Sequence, residues 1–297
     1  MRPTLSWTPT EEPSPGTTDL APVAEALGRG GVLVLSGAGI STESGIPDYR
    51  GEGGSLSRHT PMTYQDFTAD PAARRRYWAR SHLGWRTFGR ALPNAGHRAV
   101  AAFGRRGLLS GVITQNVDGL HQAAGSEGVV DLHGRLDRVV CLSCGDFSDR
   151  RELALRLEEA NKGFAPVAAG INPDGDADLT DAQVGDFQVV SCTVCGGVLK
   201  PDVVFFGEAV PPQRAEQCRA LVREASALLV LGSSLTVMSG LRFVRQAAQA
   251  GQPVLIVNRD TTRGDRHALA RVALPLGDAL SAVAGRLGVP LDEAPGS

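Results

Sequence analysis

The sequence predicts an α/β fold: a doubly wound parallel, Rossmann-like sheet, with a smaller lobe containing a zinc ribbon and a helical module. Three observations predict it. Short runs that are apolar almost throughout recur along the chain, at 31–37 (GVLVLSG), 110–116 (SGVITQN), 226–234 (SALLVLGSS) and 252–258 (QPVLIVN). Runs of this kind suit strands covered on both faces. Helical candidates accompany them near 19–29, 95–106, 212–225 and 239–250, and a βα rhythm implies parallel strands joined by crossover helices. Two C-x-x-C pairs, Cys141/Cys144 and Cys192/Cys195, interrupt that rhythm.

Composition narrows the function classes. The chain has 297 residues, 42% of them hydrophobic and 21% charged, which is ordinary for a globular protein with a sizeable core. A net charge of −2 gives no general attraction to nucleic acid, so no nucleic-acid partner is expected. No apolar run reaches membrane-spanning length, so no membrane partner is expected either. The stretch MRPTLSWTPTEEPSPGTTD has no apolar signal core. It reads as a flexible tail, 1–19, and the chain as cytoplasmic. Only Lys162 and Lys200 are lysines, an arginine bias that looks bacterial. The organisation expected is a nucleotide-binding core from 20–50, 96–136 and 199–287. A helical module, 51–95, and a zinc module, 137–198, are inserted into it.

The first strand runs into SGAGISTESGIPDYRG. Gly37, Ala38, Gly39 and Ser41 form a turn in which glycines let the backbone approach a pyrophosphate at a helix N-terminus. A dinucleotide fingerprint wants a third glycine where Thr42 stands, and no acidic residue follows at the dehydrogenase spacing, so hydride transfer is disfavoured. Asp48, Tyr49 and Arg50 sit on a loop marked by Gly45 and Pro47. They either cover a dinucleotide's reactive half, or Tyr49 packs and Arg50 pairs with a surface carboxylate.

The second strand ends in TQNVDGLH. Gln115, Asn116 and Asp118 suit ribose hydroxyls, an amide or an ordered water; capping the next helix is the alternative and needs only one of the three. His133, followed by Gly134, closes a short apolar strand, and histidine is the side chain best suited to take a proton near neutral pH. The four paired cysteines make a closed tetrahedral thiolate site for one structural Zn²⁺, with the 47 residues between the pairs looped out. Cys218, in a helical stretch, reads as a packed small hydrophobe. In KPDVVFFGE, Val203, Val204, Phe205, Phe206 and Gly207 form a core strand or an edge that receives a peptide by strand addition. Gly232, Ser233 and Ser234 suit phosphate, and Asn258 and Asp260 suit a ribose.

Taken in order, GAGIS, GIPDYR, TQNVDGLH, LHG, the two C-x-x-C pairs, KPDVVFFGE and GSS resemble a sirtuin over about residues 20–285. RYWAR, GW, PDGD and PDYR further resemble the class II branch, whose mitochondrial members are linked to unusual acyl groups and ADP-ribosylation. The resemblance implies an NAD-dependent protein lysine deacylase. It implies that Gly37 to Ser41, Asp48, Tyr49, Arg50, Gln115, Asn116, Asp118, Gly232 to Ser234 and Asn258, Arg259 and Asp260 hold NAD. Leu276, in the final strand, would meet adenine through its backbone. It also implies that acyl-lysine on a protein is the second substrate. The acyl oxygen attacks the nicotinamide ribose, nicotinamide leaves, and His133 deprotonates a ribose hydroxyl that attacks the resulting imidate. Asn116 and Asp118 position ribose, water and nicotinamide.

Three departures from the family pattern are visible. Most sirtuins have Phe where Tyr49 stands. VNRD replaces the commoner sequence at the fourth strand's end. No Tyr-x-x-Arg pair follows the first loop, and Arg58 and Tyr64 are six residues apart. An uncharged acyl group, acetyl or longer, is therefore expected over succinyl, against Ile46, Val204, Phe205 and Phe206. A mono-ADP-ribosyltransferase using the same site and an NAD-binding zinc scaffold are the alternatives.

Overall fold

The structure is a computed structural model and describes residues 16–48, 61–166, 176–177 and 179–292. In chain order its elements begin with α1 (Ala21–Arg29), β1 (Val32–Ser36), a 3₁₀ helix (Ala38–Ser44), α2 (Tyr64–Ala69), α3 (Pro71–Phe88) and α4 (Ala95–Arg105). They continue with β2 (Leu109–Thr114), α5 (Leu120–Ala123), β3 (Val129–Asp131), β4 (Gly134–Cys141), β5 (Phe147–Asp149), α6 (Arg150–Ala160), α7 (Asp181–Val184) and β6 (Leu199–Val203). The last are α8 (Pro212–Glu224), β7 (Ala227–Leu231), α9 (Met238–Gln249), β8 (Val254–Val257), β9 (Ala270–Val272) and α10 (Leu276–Arg286).

Six strands form one sheet in the order β3-β2-β1-β7-β8-β9, and every pairing is parallel. The four strands read from apolar runs are β1, β2, β7 and β8. β3 and β9 hold three residues each, too few to carry a periodic signal. The burial of β1 shows why its sequence is apolar throughout. Val32 and Val34 face one core with residues of α1, α4 and α10, while Leu33 and Leu35 face a second core with residues of α8 and α9. Each such side chain contributes about 1.5–3 kcal/mol when fully buried. Cys218 is fully buried in the second core, and burial pushes its thiol up to about 11, so it is an inert packing group.

The strand order reverses between β1 and β7, which leaves a crevice at their carboxyl ends. Two expectations need correction here. The turn after β1 leads into a seven-residue 3₁₀ helix, not an α-helix. Leu276 is not in a strand: it opens α10 behind Pro275, whose fixed φ suits a helix start. Tail residues 1–15 lie outside the described residues, but Thr17 already bridges Val272 of β9, so the chain is tied to the sheet before residue 19.

The smaller lobe carries an antiparallel sheet in the order β5-β4-β6. β6 therefore belongs to the same sheet as the zinc-module strands, although the expected boundary at 198/199 would separate them. Its core joins Phe67 of α2, Tyr77 and Trp78 of α3, Leu153 and Leu157 of α6, and Val139 of β4. One residue fixes how closely β4 and β6 approach. Gly134 has φ +85°, and a Cβ placed on it would lie 1.9 Å from the Asp202 carbonyl oxygen. Only glycine lets β4 lie this close to the end of β6 with that backbone.

Gly134→Ala is therefore expected to cost about 1–3 kcal/mol and to move the adjacent His133. The check is the denaturant midpoint of the variant; an unchanged midpoint would mean that the two strands tolerate separation.

Candidate active site

The polar loop after β2 is built against the loop after β1. The Asn116 amide donates to the Gly37 carbonyl at 3.1 Å and to Ser41 Oγ at 3.0 Å. Ser41 Oγ donates to Asp118 Oδ2 at 2.7 Å. Asp118 Oδ1 accepts the Leu120 N–H, the first of α5, at 2.9 Å, while Gly119 occupies the cap position. Gln115 reaches the other way, donating to Ser233 Oγ at 2.8 Å. The three side chains together tie the loops of β1, β2 and β7, and Asp118 also holds the first N–H of α5. Burial pushes the Asp118 carboxyl up, against the pull of its hydrogen bonds from Leu120, Ser41 and Asn116.

Behind this loop lies a buried relay that the sequence reading missed. Ser36 Oγ lies 2.8 Å from His121 Nε2 and donates to Thr114 Oγ1 at 2.9 Å. Thr114 Oγ1 also accepts the Asn116 N–H at 3.1 Å. The His121 ring meets His97 edge-on, with centroids 5.0 Å apart. His97 stands in the first turn of α4, where Asn94 caps the helix. The Asn-x-x-His spacing was a readable cap signal; the long-range contacts were not.

His133 stands between β3 and β4. Its Nδ1 lies 2.9 Å from the Gln115 carbonyl oxygen, so Nδ1–H donates there, and Nε2 accepts from Ser239 Oγ at 2.8 Å. Burial holds the imidazole down, to about 4, so at neutral pH the ring is uncharged and Nε2 is a free-base nitrogen. Ser239, in the first turn of α9, carried no sequence signal because its role comes from a residue 106 positions away.

These groups share one cavity of about 750 Å³. Gly37, Ala38, Gly39, Ser41, Asp48, Gln115, Asn116, Asp118, His133, Gly232, Ser233, Ser234, Asn258 and Asp260 all line it. Val203, Val204, Phe205, Phe206 and Gly207 form another wall. Arg259 and Leu276 do not line it: Arg259 is exposed and Leu276 is buried against Gly232. Tyr49, Arg50 and Arg58 lie outside the described residues.

The wall at 203–207 is fixed by a buried ion pair. Lys200, 3% exposed, lies 3.1 Å from Glu208 and 4.8 Å from the Phe205 ring centroid. It also donates to the Val203 carbonyl. Glu208 in turn accepts the Phe205 N–H at 2.8 Å. β6 is paired on one side with β4 only, and Val204 N–H donates to the His133 carbonyl at 2.8 Å. Phe205 itself turns away into an aromatic cluster with Phe67 and Tyr77.

In the ribbon, the Sγ atoms of Cys141, Cys144, Cys192 and Cys195 all lie within 4.8 Å of one another. The Cys141–Cys195 and Cys144–Cys192 separations are 3.5 and 3.9 Å. Zn–S bonds of about 2.3 Å put tetrahedral sulfurs about 3.8 Å apart, so the cluster fits one zinc with no open position for water. Backbone N–H groups of Ser143 and Val194 point at Cys141 and Cys192 sulfur, each at 3.4 Å.

A switch-point crevice that suits a dinucleotide, with a neutral base and an extended-chain groove beside it, defines an α/β enzyme that acts on a peptide at a nucleotide's expense. The chain belongs to the Sir2 family, whose model matches residues 37–239. An NAD-dependent protein deacetylase 1 of Streptomyces coelicolor is 84% identical over 99% of this chain and 98% of that protein. One of Mycobacterium avium is 53% identical over 84% of this chain and 89% of that one. A solved complex of Sir2 with p53 peptide and NAD⁺ matches with a TM-score of 0.74 at 28% identity, covering 92% of this chain and 100% of the other. No helix among the described residues is long and apolar enough to cross a membrane.

Purified protein is expected to carry one zinc per chain, and Cys141→Ser to lose it together with the order of the smaller lobe, because a structural thiolate site supplies folding free energy. Metal analysis checks this; stability indifferent to a chelator would contradict it.

Stability is also expected to fall in acid. His82, His121 and His133 are each held near 4 by burial, against about 6.5 unfolded. Below pH 6.5 the unfolded chain binds protons that the native state does not. Stability is complete above that pH and declines toward pH 4 by about 1.4 kcal/mol per pH unit for each histidine. Urea midpoints from pH 7.5 to 5 measure the slope, and His82→Phe should lessen it; a flat profile would place these rings in water.

Proposed function

We propose that this chain is an NAD-dependent protein lysine deacetylase, with His133 as general base. The observation that carries the reading is His133 itself, neutral and hydrogen-bonded through Nδ1, with Nε2 in the cavity between the NAD-side loops and the 203–207 wall. NAD supplies the ADP-ribose that accepts the acyl group. The loops of Gly37–Ser41 and Gly232–Ser234 hold its pyrophosphate side, and Asn258 and Asp260 an adenosine ribose. Asn116 and Asp118 fix the nicotinamide ribose end. Acyl-lysine enters in extended form along Val203–Gly207, and the neutral imidazole takes a ribose hydroxyl proton, helped by the bond that orients its other nitrogen.

The chain's neighbours support this reading: solved Sir2 complexes contain NAD and an acetylated peptide. A cysteine quartet clustered for a metal rather than for disulfides also suits a reducing, cytoplasmic setting. The acyl group read from the wall is uncharged, since buried Ile46 lines the cavity along with Val204 and Phe206 and an unpaired buried carboxylate costs several kcal/mol.

The test is turnover of matched acetyl-, octanoyl- and succinyl-lysine peptides with NAD. Acetyl or octanoyl should lead, and His133→Ala should lower kcat/KM by roughly two to four orders of magnitude while NAD still binds. Near-normal turnover by the variant would remove His133 from the mechanism. Labelled ADP-ribose on protein without deacetylation would favour a mono-ADP-ribosyltransferase, and no consumption of NAD would favour a scaffold.

A further inference from the structure

The chain's net charge is −2, yet arginines gather unpaired at one side of the cavity mouth. Arg242 and Arg263 line the cavity beside the stretch Leu235–Ser239. Arg242 is three residues beyond Ser239 on α9, so it continues the helix face that reaches His133. Arg245 follows after another three. Arg245 and Arg266 both lie close enough to His267 to lower its pKa, after the effect of burial, which joins α9 to the turn before β9.

The hydrogen bonds of these side chains go to uncharged groups. Arg242 donates to the Met238 carbonyl at 3.4 Å, Arg263 to the Thr236 carbonyl at 3.1 Å and Arg266 to His267 at 3.3 Å. Among the described residues none of the four has a carboxylate partner, whereas Arg138, Arg214, Arg219, Arg223 and Arg271 do. Asp265, the nearest acid in sequence, is taken by Arg271 and Thr262. Asp260 lines the same cavity but at the Asn258 end. Like charges grouped without counter-charges repel one another and cost stability; they are complementary to an anionic partner.

We propose that this patch recognises acidic residues flanking the acyl-lysine, so that the substrates are acyl-lysines set in acidic segments of proteins. The proposal rests on the deacetylase reading above. An extended peptide advances about 3.3 Å per residue, so positions two to four from the acyl-lysine lie about 7–13 Å from it. Arg242 and Arg263 line the same cavity as the 203–207 wall, which favours a peptide over nucleic acid.

The experiment uses three acetyl-lysine peptides, identical except for Glu, Gln or Lys at two positions on each side, with the native chain and Arg242→Glu/Arg266→Glu. Both replaced residues are exposed. The native chain should turn over the Glu peptide with a kcat/KM about tenfold above that of the Lys peptide. The difference should reside in KM and shrink as salt rises. The double variant should invert the order and keep the KM for NAD. Fluorescence anisotropy of the labelled peptides should give the same order. If no peptide is turned over but the binding order holds, the deacetylase reading fails and the acidic-peptide patch stands. Equal binding of the three peptides by the native chain would overturn the proposal. So would a rise in the KM for NAD common to all peptides, which assigns the arginines to the nucleotide, or tighter binding of a short DNA duplex lost in the same variant.

Discussion

The contact between the loops that leave β1 and β7 constrains everything around it. The Gly37 N–H donates to the Leu231 carbonyl at 2.9 Å, and the Gly39 N–H to the Gly232 carbonyl at 2.8 Å. A Cβ on Gly39 would lie 2.8 Å from Gly232 Cα, and one on Gly232 would lie 2.5 Å from the Ile40 nitrogen. The two backbones touch where the sheet reverses its order, so no side chain fits in the seam. Gly37 and Gly39 therefore serve protein–protein packing first, and any approach to a pyrophosphate depends on that packing.

From this seam the polar groups are laid down in layers. Asn116 and Ser41 close the loop of β2 onto that of β1, and Gln115 closes it onto that of β7. Beneath them the Ser36–Thr114–His121 relay satisfies hydroxyls that would otherwise be costly in an apolar core. The two facing histidine rings retain complementary character. His97 Nδ1 accepts the Asn94 N–H, which leaves the proton on Nε2. His121 Nε2 donates toward Ser36, which leaves Nδ1 bare. His133 is oriented from the same loop, through the Gln115 carbonyl.

The second substrate's wall has a separate origin. It grows out of β6, whose start lies beside the cysteine cluster and whose end meets His133. The zinc ribbon thus fixes the register of a strand, and the Lys200–Glu208 pair fixes the segment beyond it. A buried charge of this kind is sustained only while its partner remains. Gly134 and Asp202 consequently bring the start of β4 against the end of β6, where the base and the peptide groove are set relative to each other.

How far the sequence alone reached follows from the range of the forces involved. Apolar runs of 31–37, 110–116, 226–234 and 252–258 determined the core strands because burial on both faces leaves a local mark. The cysteine spacing determined a thiolate cluster because each knuckle is made by neighbours in the chain. TQNVDGLH and LHG marked the polar loop and the base. Only the tertiary structure decided that Gly37 and Gly39 press on Gly232, that Leu276 opens a helix and stays out of the cavity, and that Ser239, Arg242 and Arg263 join the site. It also decided that β6 pairs within the smaller lobe, and that Lys200 is buried against Glu208. Each of these depends on residues brought together from distant parts of the chain, by strand order and by packing, and neither leaves a periodic or local trace in the sequence.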